Sequence, residues 1–327
     1  MEERATAQWR VEWDSGSWGD HSPLPPPGVP VGGVTAIAVA AGRSLALEAG
    51  ADELVRVRDL ATGELVSQLY AGDPNLVWGV AAAVVDGRSL VLAGGGDGLL
   101  RVWDLTTREL LGEPLVSPHG CINAVAIGVL DGRTIAVTAG DGEPLQLWEP
   151  AVPRQLGEPL PRYDIEALAV ATVAVEGRTF AVTGGDGPMV ALWDLATREH
   201  VCEPLLGHDG TVYTVATALV DGRPVAVTGS DDDTVRVWDL TARKQLGEPL
   251  TVHHDGVLEM AIGSVDGRTV VATAGGANLV RVWDLATREQ IGQDLVFPLS
   301  VGALAMAPGG RLLAGVGPYL AALTYHR

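Results

Sequence analysis

The segment TVYTVATALVDGRPVAVTGSDDDTVRVWDLTARKQLGEPL, residues 211–250, decides the fold. Two apolar runs flank Asp221–Gly222–Arg223, and Asp-Gly pairs favour the tight turn of a β-hairpin. After a second turn at Asp231–Asp233, apolar and polar residues alternate with the period of a strand. The last part, 244–250, carries charge and a proline, as expected of an edge strand. The segment therefore predicts an antiparallel sheet of four strands.

The same pattern recurs every 45 residues. The tryptophans that end the third strand of each unit are Trp103, Trp148, Trp193, Trp238 and Trp283. One further step back reaches Arg58, inside the matching phrase VRVRDL, and a second step reaches Trp13. A (D/E)-G-R triplet and the phrase GEPL keep the same phase. Because one such unit cannot bury its apolar faces alone, the repeats are expected to stack against each other.

A 45-residue unit that ends its third strand in Trp-Asp resembles the repeat of the WD-repeat β-propeller family. The phrase WDL stands at 103–105, 193–195, 238–240 and 283–285, and a Gly-His pair stands at 207–208. The phrases DGR and VRVWDLAT are similar to those of actinobacterial members, which suggests a bacterial source. The resemblance implies an all-β fold, a seven-bladed WD-repeat β-propeller with four-stranded antiparallel blades, formed by residues 1–327 as one domain.

The seven blades do not contain equal numbers of predicted strands. They are expected near 34–70, 79–115, 121–160, 165–205, 211–250, 256–295 and 300–326. The seventh lacks a fourth strand, while residues 8–14, QWRVEWD, form a strand without a blade. An open ring would leave unpaired edges, so 8–14 is predicted to close blade 7. Residues 15–33 form a Pro-rich loop, with docking of an SH3-like partner as the alternative.

The charge and composition narrow the class of partner. The formal net charge is −19, from 22 basic and 41 acidic residues, which argues against binding nucleic acid or an anionic membrane surface. Two cysteines cannot build a disulfide framework. The N-terminus lacks the apolar core of a signal peptide, and no apolar run is long enough to span a membrane. These features predict a cytoplasmic monomer without a cofactor.

One group of residues resembles the structural tetrad of the family: His208, Thr228, Asp232 and Trp238. A catalytic His with Asp and Thr is the alternative, but the four residues occupy structural positions of the repeat. Blade 6 has Ala277 where the acid is expected, and blades 3 and 4 carry Asp141 and Asp186 one residue early. Most tetrads are therefore predicted to be incomplete.

Three other groups could suggest chemistry, and none has the required pattern. His253–Asp255 is a loop cluster without the further ligands of a zinc site. Asp231–Asp233 lacks the alternate spacing and later Glu of a calcium loop, so a solvated turn is predicted. Cys121 lies near His119 in sequence alone. No catalytic residue and no metal site is predicted.

The resemblance places partner binding at one end of the ring, where loops surround the central channel. In-phase channel positions are Trp78, Asn123, Leu168, Tyr213 and Leu258. The predicted partner-binding residues are Trp78, Asn123, Tyr163, Asp186, Tyr213, Asp231, Asp232, Asp233 and Tyr319. Aromatic side chains anchor interfaces and carboxylates select cationic partners. In the competing interpretation, Trp78 and Tyr213 only fill the channel.

The function that follows is a non-enzymatic scaffold for proteins or peptides with Lys- or Arg-bearing segments. This step rests on the resemblance, since a fold does not determine a function. The alternative is a sensing module of a bacterial signalling system. A third hypothesis, an enzyme or small-molecule binder with its site at the channel mouth, requires convergent polar groups in a closed pocket.

Overall fold

The computed structural model describes residues 8–14, 34–40, 44–50, 52–71, 77–117, 120–140, 144–161, 166–201, 203–276 and 278–326. The described residues form seven antiparallel sheets. The innermost strands of the sheets pack against each other in one closed cycle, so the sheets are blades around a central axis. The predicted seven-bladed, all-β propeller is confirmed. No helix long and apolar enough to cross a membrane occurs in the described part of the chain.

The first three blades and the N-terminal strand have the following bounds. The N-terminal strand is β1, Gln8–Asp14. Blade 1 comprises β2 Val34–Val39, β3 Leu45–Gly50, β4 Leu54–Asp59 and β5 Leu65–Tyr70. Blade 2 comprises β6 Val77–Val85, β7 Arg88–Gly95, β8 Leu99–Asp104, β9 Glu109–Leu110 and β10 Leu115–Val116. Blade 3 comprises β11 Ala124–Leu130, β12 Arg133–Ala139, β13 Gln146–Glu149 and β14 Arg154–Gln155.

The remaining blades follow the same order from the channel outwards. Blade 4 comprises β15 Ala167–Val175, β16 Arg178–Gly185, β17 Gly187–Asp194 and β18 Glu199–His200. Blade 5 comprises β19 Val212–Val220, β20 Arg223–Ser230, β21 Thr234–Asp239, β22 Lys244–Gln245 and β23 Leu250–Thr251. Blade 6 comprises β24 Glu259–Val265, β25 Arg268–Ala274, β26 Leu279–Asp284 and β27 Leu295–Val296. Blade 7 comprises β28 Val301–Ala307, β29 Arg311–Val316 and β30 Tyr319–His326.

The ring is closed by β1, which pairs antiparallel with β30 and becomes the outer strand of blade 7. Trp9 lies opposite Tyr325, and their ring centroids are 5.5 Å apart. Glu12 forms an ion pair with Arg311 of β29. The chain therefore closes the ring by strand pairing, as predicted from the strand without a blade.

The (D/E)-G-R triplets form the hairpin turns between the first and second strands of blades 2 to 6. Their acidic residues have φ between 50° and 51°, and the following glycines have φ between 74° and 77°. A two-residue hairpin of type I′ requires positive φ at both central positions, which Asp-Gly adopts readily. The recurrent triplet thus explains the five identical turns.

The core lies between neighbouring blades. One cluster joins Phe180 and Leu192 of blade 4 to Ala226 and Trp238 of blade 5. The second strands are buried on both faces, because each stands inside its sheet and between two neighbouring blades. Burial on both faces explains the near-continuous apolar runs of these strands.

The outer edge of the middle blades differs from the single fourth strand that the sequence predicts. In blade 5 the edge consists of two two-residue strands, β22 and β23, which both pair with β21. Gly247 interrupts them with a φ of 64°, and Pro249 follows. Blade 1 has no such interruption, and its β5 pairs along its whole length with β4. Short, interrupted edges are poor templates for edge-to-edge pairing.

Candidate partner-binding site at the channel mouth

The first residues of the inner strands and the turns between the second and third strands lie at the same end of the propeller. In blade 5, Val212 at the start of β19 pairs with Ser230 at the end of β20. The turn Asp231–Asp233 directly follows Ser230, so it stands beside the start of β19. The antiparallel register repeats in the other blades. This end is called the channel mouth below.

A cavity of about 250 Å³ opens at the channel mouth. Five in-phase side chains line it: Trp78, Asn123, Leu168, Tyr213 and Leu258. Leu258 and Tyr213 are more than one-third exposed, and the other three are half-buried. The 45-residue phase therefore brings together residues that are far apart in the chain. Whether they bind a partner remains a prediction.

Glu259, the first residue of β24, also lines this cavity and was missed by the sequence analysis. Burial raises the pKa of its carboxyl to about 8. No hydrogen bond or ion pair reaches the carboxylate from the described residues. Aligning the repeats could have identified Glu259, because the equivalent positions in the other blades hold uncharged residues. In the strand register these are Ala36, Gly79, Ala124, Ala169, Thr214 and Ala303.

The acidic turn of blade 5 is only partly available to a partner. Asp231 is exposed, whereas Asp232 and Asp233 are half-buried. Asp232 accepts hydrogen bonds from the Thr234 hydroxyl at 2.6 Å and from the Asp209 backbone N–H at 3.0 Å. Asp233 accepts one from the Gly256 backbone N–H at 2.9 Å. Two of the three carboxylates thus tie loops together, which differs from the solvated turn expected from the sequence.

The other predicted binding residues are spread around the channel mouth. Asp186 is exposed in the turn between β16 and β17 of blade 4. Tyr319 begins β30, opposite Val316, and is half-buried. Tyr163 lies outside the described residues. The described acids and aromatic residues therefore surround the cavity on several blades and do not form one compact cluster.

The four tetrad residues of blade 5 form a continuous chain of hydrogen bonds. Asp232 Oδ2 lies 2.8 Å from His208 Nδ1, and His208 Nε2 lies 2.7 Å from Thr228 Oγ1. The Trp238 indole N–H donates to Thr228 Oγ1 at 2.9 Å. Thr228 is 0% exposed. Its hydroxyl cannot reach a substrate, so this geometry suits a link between loop and strands and not a catalytic triad.

Burial and hydrogen bonding set the ionisation of this chain. Burial lowers the pKa of His208, although the neighbouring Asp232 acts in the opposite direction. Burial also opposes ionisation of Asp232, but hydrogen bonds from Thr234 and His208 outweigh it and lower the pKa of this carboxyl. At neutral pH this chain of hydrogen bonds therefore contains the neutral imidazole of His208 beside the carboxylate of Asp232.

Other blades fill the same positions differently. In blades 3 and 4, Trp148 and Trp193 donate to Thr138 and Thr183 at 2.9 and 3.2 Å. In blade 6, His253 Nε2 lies 3.0 Å from Thr273 Oγ1, but the buried indole nitrogen of Trp283 has no partner among the described residues. The sequence expectation for Ala277 in this blade falls outside the described residues, as does that for Asp141.

Blade 1 replaces the Trp–Thr pair with an ion pair. Arg58 holds the tryptophan position, and Glu48 holds the threonine position ten residues earlier. Arg58 Nε donates to Glu48 Oε1 at 3.0 Å, while Glu48 is 3% exposed. Arg56 Nε lies 3.9 Å from the same carboxylate oxygen. Arg58 is in phase with the repeat tryptophans and was predicted as such, whereas the role of Glu48 was not predicted.

The groups considered for metal binding do not converge. No group of three His, Cys, Asp or Glu side chains within the described ranges is placed to hold a metal ion. His253 is buried against Thr273, whereas His254 and Asp255 are exposed. Cys121 is half-buried, and His119 lies outside the described residues.

Two parts of the chain match a known protein family. A family sequence profile described as "WD domain, G-beta repeat" matches residues 63–104 and 199–239. Each match runs from the outer strand of one blade to the third strand of the next. No curated protein matches the chain. The two matched repeats lie within the seven blades, so the chain forms a β-propeller that contains WD repeats. WD-repeat propellers generally serve as non-enzymatic scaffolds for protein interactions.

Proposed function

We propose that this chain is a non-enzymatic scaffold that binds protein or peptide segments bearing Lys or Arg at the channel mouth. One observation carries the proposal: partly accessible aromatic side chains and exposed carboxylates surround the cavity at this end of the ring. Trp78 and Tyr213 line the cavity together with Glu259, and Asp186 and Asp231 are exposed around it. WD-repeat propellers commonly bind proteins or peptides, which supports the same function.

The two residue types contribute differently to binding. The aromatic side chains offer large apolar contact areas and anchor the partner. The exposed carboxylates, on a chain of net charge −19, accelerate encounter with cationic segments, an effect that salt screens. Since the same charge repels phosphate groups, we do not propose a nucleic acid or an anionic membrane as the partner.

The proposal includes a cellular setting and leaves one alternative. We propose a cytoplasmic monomer, based on the low cysteine content and the acidic composition. The alternative is a sensing module of a bacterial signalling system, which is supported by the similarity of the DGR and VRVWDLAT phrases to actinobacterial repeats. In that case the partner would be a signalling enzyme, and the same face would bind it.

Affinity capture from the source cell, followed by titration of the purified partner, tests the proposal. Trp78→Ala is expected to weaken binding by about 2 kcal/mol, or about 30-fold, if the indole is an anchor. Asp186→Asn with Asp231→Asn is expected to slow association and reduce its salt dependence. These carboxylates suit the test better than Asp232 and Asp233, which also hold loops together.

Matched controls lie at the opposite end of the ring. Asp131 and Asp221 are exposed in hairpin turns there, and Asn also adopts their positive φ. Asp131→Asn with Asp221→Asn removes the same charge from the chain and is expected to leave association unchanged. Equal loss in both double variants would attribute the effect to net charge alone. Parental affinity in a folded Trp78→Ala variant would place the site elsewhere.

A further inference from the structure

We infer that Glu259 is the receptor for one organic cation, an alkylammonium or guanidinium group, which a Lys or Arg side chain of the partner inserts into the channel-mouth cavity. This inference rests on the proposed function and specifies how the partner is recognised. It assigns a role to a carboxylate that neither the repeat pattern nor the tetrads explain.

Glu259 has no charged partner among the described residues. Two other carboxylates that are largely shielded from solvent are paired with arginines: Glu48 with Arg58 at 3.0 Å, and Asp97 with Arg101 at 2.6 Å. No hydrogen bond or ion pair reaches Glu259 from the part of the chain that the structure describes. An unpaired carboxylate in such surroundings is costly, because burial disfavours its charged form. An inserted cation would remove this cost.

The shape and lining of the cavity support the same inference. The positions in phase with Glu259 hold small residues in blades 2 to 5, from Gly79 to Thr214, which leaves the cavity open over the carboxylate. Trp78 and Tyr213 add aromatic rings, whose faces attract cations. The cavity volume of about 250 Å³ is below the ~300–1,000 Å³ typical of sites for whole small molecules. It suits a single side chain.

The protonation of the Glu259 carboxyl also affects how a cation binds. The pKa of Glu259 is raised to about 8, so its carboxyl is protonated at neutral pH, and a bound cation must displace this proton. Strand β24 packs against β19, β25 and β28. The titratable or charged groups on these strands, the incoming loop and the adjacent turn are Tyr213, Arg268, His253, His254, Asp255, Asp231, Asp232 and Asp233. Among the described cavity-lining residues, only Tyr213 is titratable besides Glu259.

Calorimetric titration with small probes tests the inference. The cationic probes are N-acetyl-lysine methylamide, N-acetyl-arginine methylamide and n-butylammonium, and the neutral control is N-acetyl-norleucine methylamide. We expect the cations to bind and the norleucine derivative not to bind. Below pH 8 each bound cation should release up to one proton, measurable in buffers of different ionisation enthalpy. Below pH 8, the affinity for the cation should therefore rise by up to about tenfold for each unit by which the pH is raised.

Glu259→Gln is the decisive variant, because it keeps the shape of the side chain and removes its charge. It is expected to weaken cation binding at least tenfold and to abolish proton release. Glu289→Gln, which removes an exposed carboxylate from the outer part of the same blade, should bind like the parent. The proton count in the parent protein needs no variant, so it decides the matter even if Glu259→Gln fails to fold.

Several outcomes would overturn the inference. Equal binding of the neutral control, no proton release, or parental binding by folded Glu259→Gln would each do so. Binding of n-butylammonium more tightly than either amino-acid derivative would reject a partner side chain and favour a free amine. If Trp78→Ala disrupts partner binding and Glu259→Gln does not, the inference fails and the proposed function stands. If cation probes bind but no partner depends on the channel mouth, the proposed function fails instead.

Discussion

Blades 1 and 5 connect their second and third strands through the same pair of positions with opposite chemistry. In blade 5 the pair is Thr228 and Trp238, joined by a neutral hydrogen bond of 2.9 Å. In blade 1 the pair is Glu48 and Arg58, joined by an ion pair of 3.0 Å. Both second-strand residues are almost fully buried. These two blades therefore fill the same pair of positions with polar links built from different residue types.

Removing one partner of each link should lower the stability of the protein by different amounts. Removing one partner of a buried ion pair leaves an uncompensated charge, whereas removing one partner of a neutral hydrogen bond leaves an unsatisfied dipole. In blade 5, His208 and Asp232 extend the link to the incoming loop, so the link is distributed over four residues. In blade 1 the link consists of the Glu48–Arg58 ion pair, with Arg56 Nε 3.9 Å from the same carboxylate oxygen.

The largest effect is expected from Glu48→Ala in blade 1. It leaves the Arg58 guanidinium without its carboxylate partner. Breaking a buried pair in this way typically lowers the free energy of unfolding by about 3–5 kcal/mol. Equilibrium urea denaturation provides the measurement. The double variant Glu48→Thr with Arg58→Trp, which copies the blade 5 pair, should recover most of the loss. A loss below about 1 kcal/mol for Glu48→Ala would contradict this account of blade 1.

A smaller loss is expected from Thr228→Val in blade 5. It removes the acceptor of the Trp238 indole N–H and the partner of His208 Nε2, at a cost of about 1–3 kcal/mol. Thr273→Val in blade 6 is the matched control, because there the Trp283 indole nitrogen makes no bond to Thr273. The control should lose less stability than Thr228→Val. Equal losses would mean that the tryptophan bond contributes nothing measurable.

The smallest expected effect is the part of the pH dependence of stability that His208 of blade 5 contributes. Because burial lowers the pKa of His208, the unfolded chain binds a proton more readily, and this contribution to stability is lost as pH falls below about 6.5. Glu259 has the opposite sign, since its raised pKa costs stability as pH rises towards 8. The difference between the parent and His208→Gln isolates the first contribution.

We expect the difference in unfolding free energy between the parent and His208→Gln to narrow between pH 7 and pH 5. Chemical denaturation at several pH values measures it. Glu48→Ala should show a constant difference from the parent over pH 6 to 7.5, because blade 1 contains no histidine among its described residues. A parallel pH profile for parent and His208→Gln would refute a buried neutral His208.

Much of the fold was predictable because the repeat is strict. The 45-residue phase located the blades, and the unpaired strand at residues 8–14 indicated how the ring closes. The interrupted outer strand was not predicted, since the positive φ of Gly247 overrides a pattern that otherwise suits one continuous edge. Local sequence patterns describe which residues suit a strand, but not where a turn within it fits the neighbouring blade.

The candidate site was predictable only where it follows the phase. The five cavity-lining positions from Trp78 to Leu258 share the repeat spacing, so aligning the repeats finds them. Glu259 and Glu48 depart from the repeat, and their meaning depends on burial and on which charges lie nearby. Likewise, His208 and Gly256, which bond to Asp232 and Asp233, lie more than 20 positions away from them. Such contacts are tertiary and leave no local pattern.

The pairing of β1 with β30 has a consequence for the order of the chain. Gln8 lies opposite His326 in antiparallel register, so the end of β30 stands next to the start of β1, as in an ordinary hairpin. A short Asn-Gly turn could join these two positions. The chain could then be cut at any exposed Asp-Gly hairpin, such as Asp131–Gly132, to give a circularly permuted protein. Blade 7 would become a continuous meander, and the new ends could be placed on blade 2, 3, 5 or 6, each of which has such an Asp-Gly hairpin.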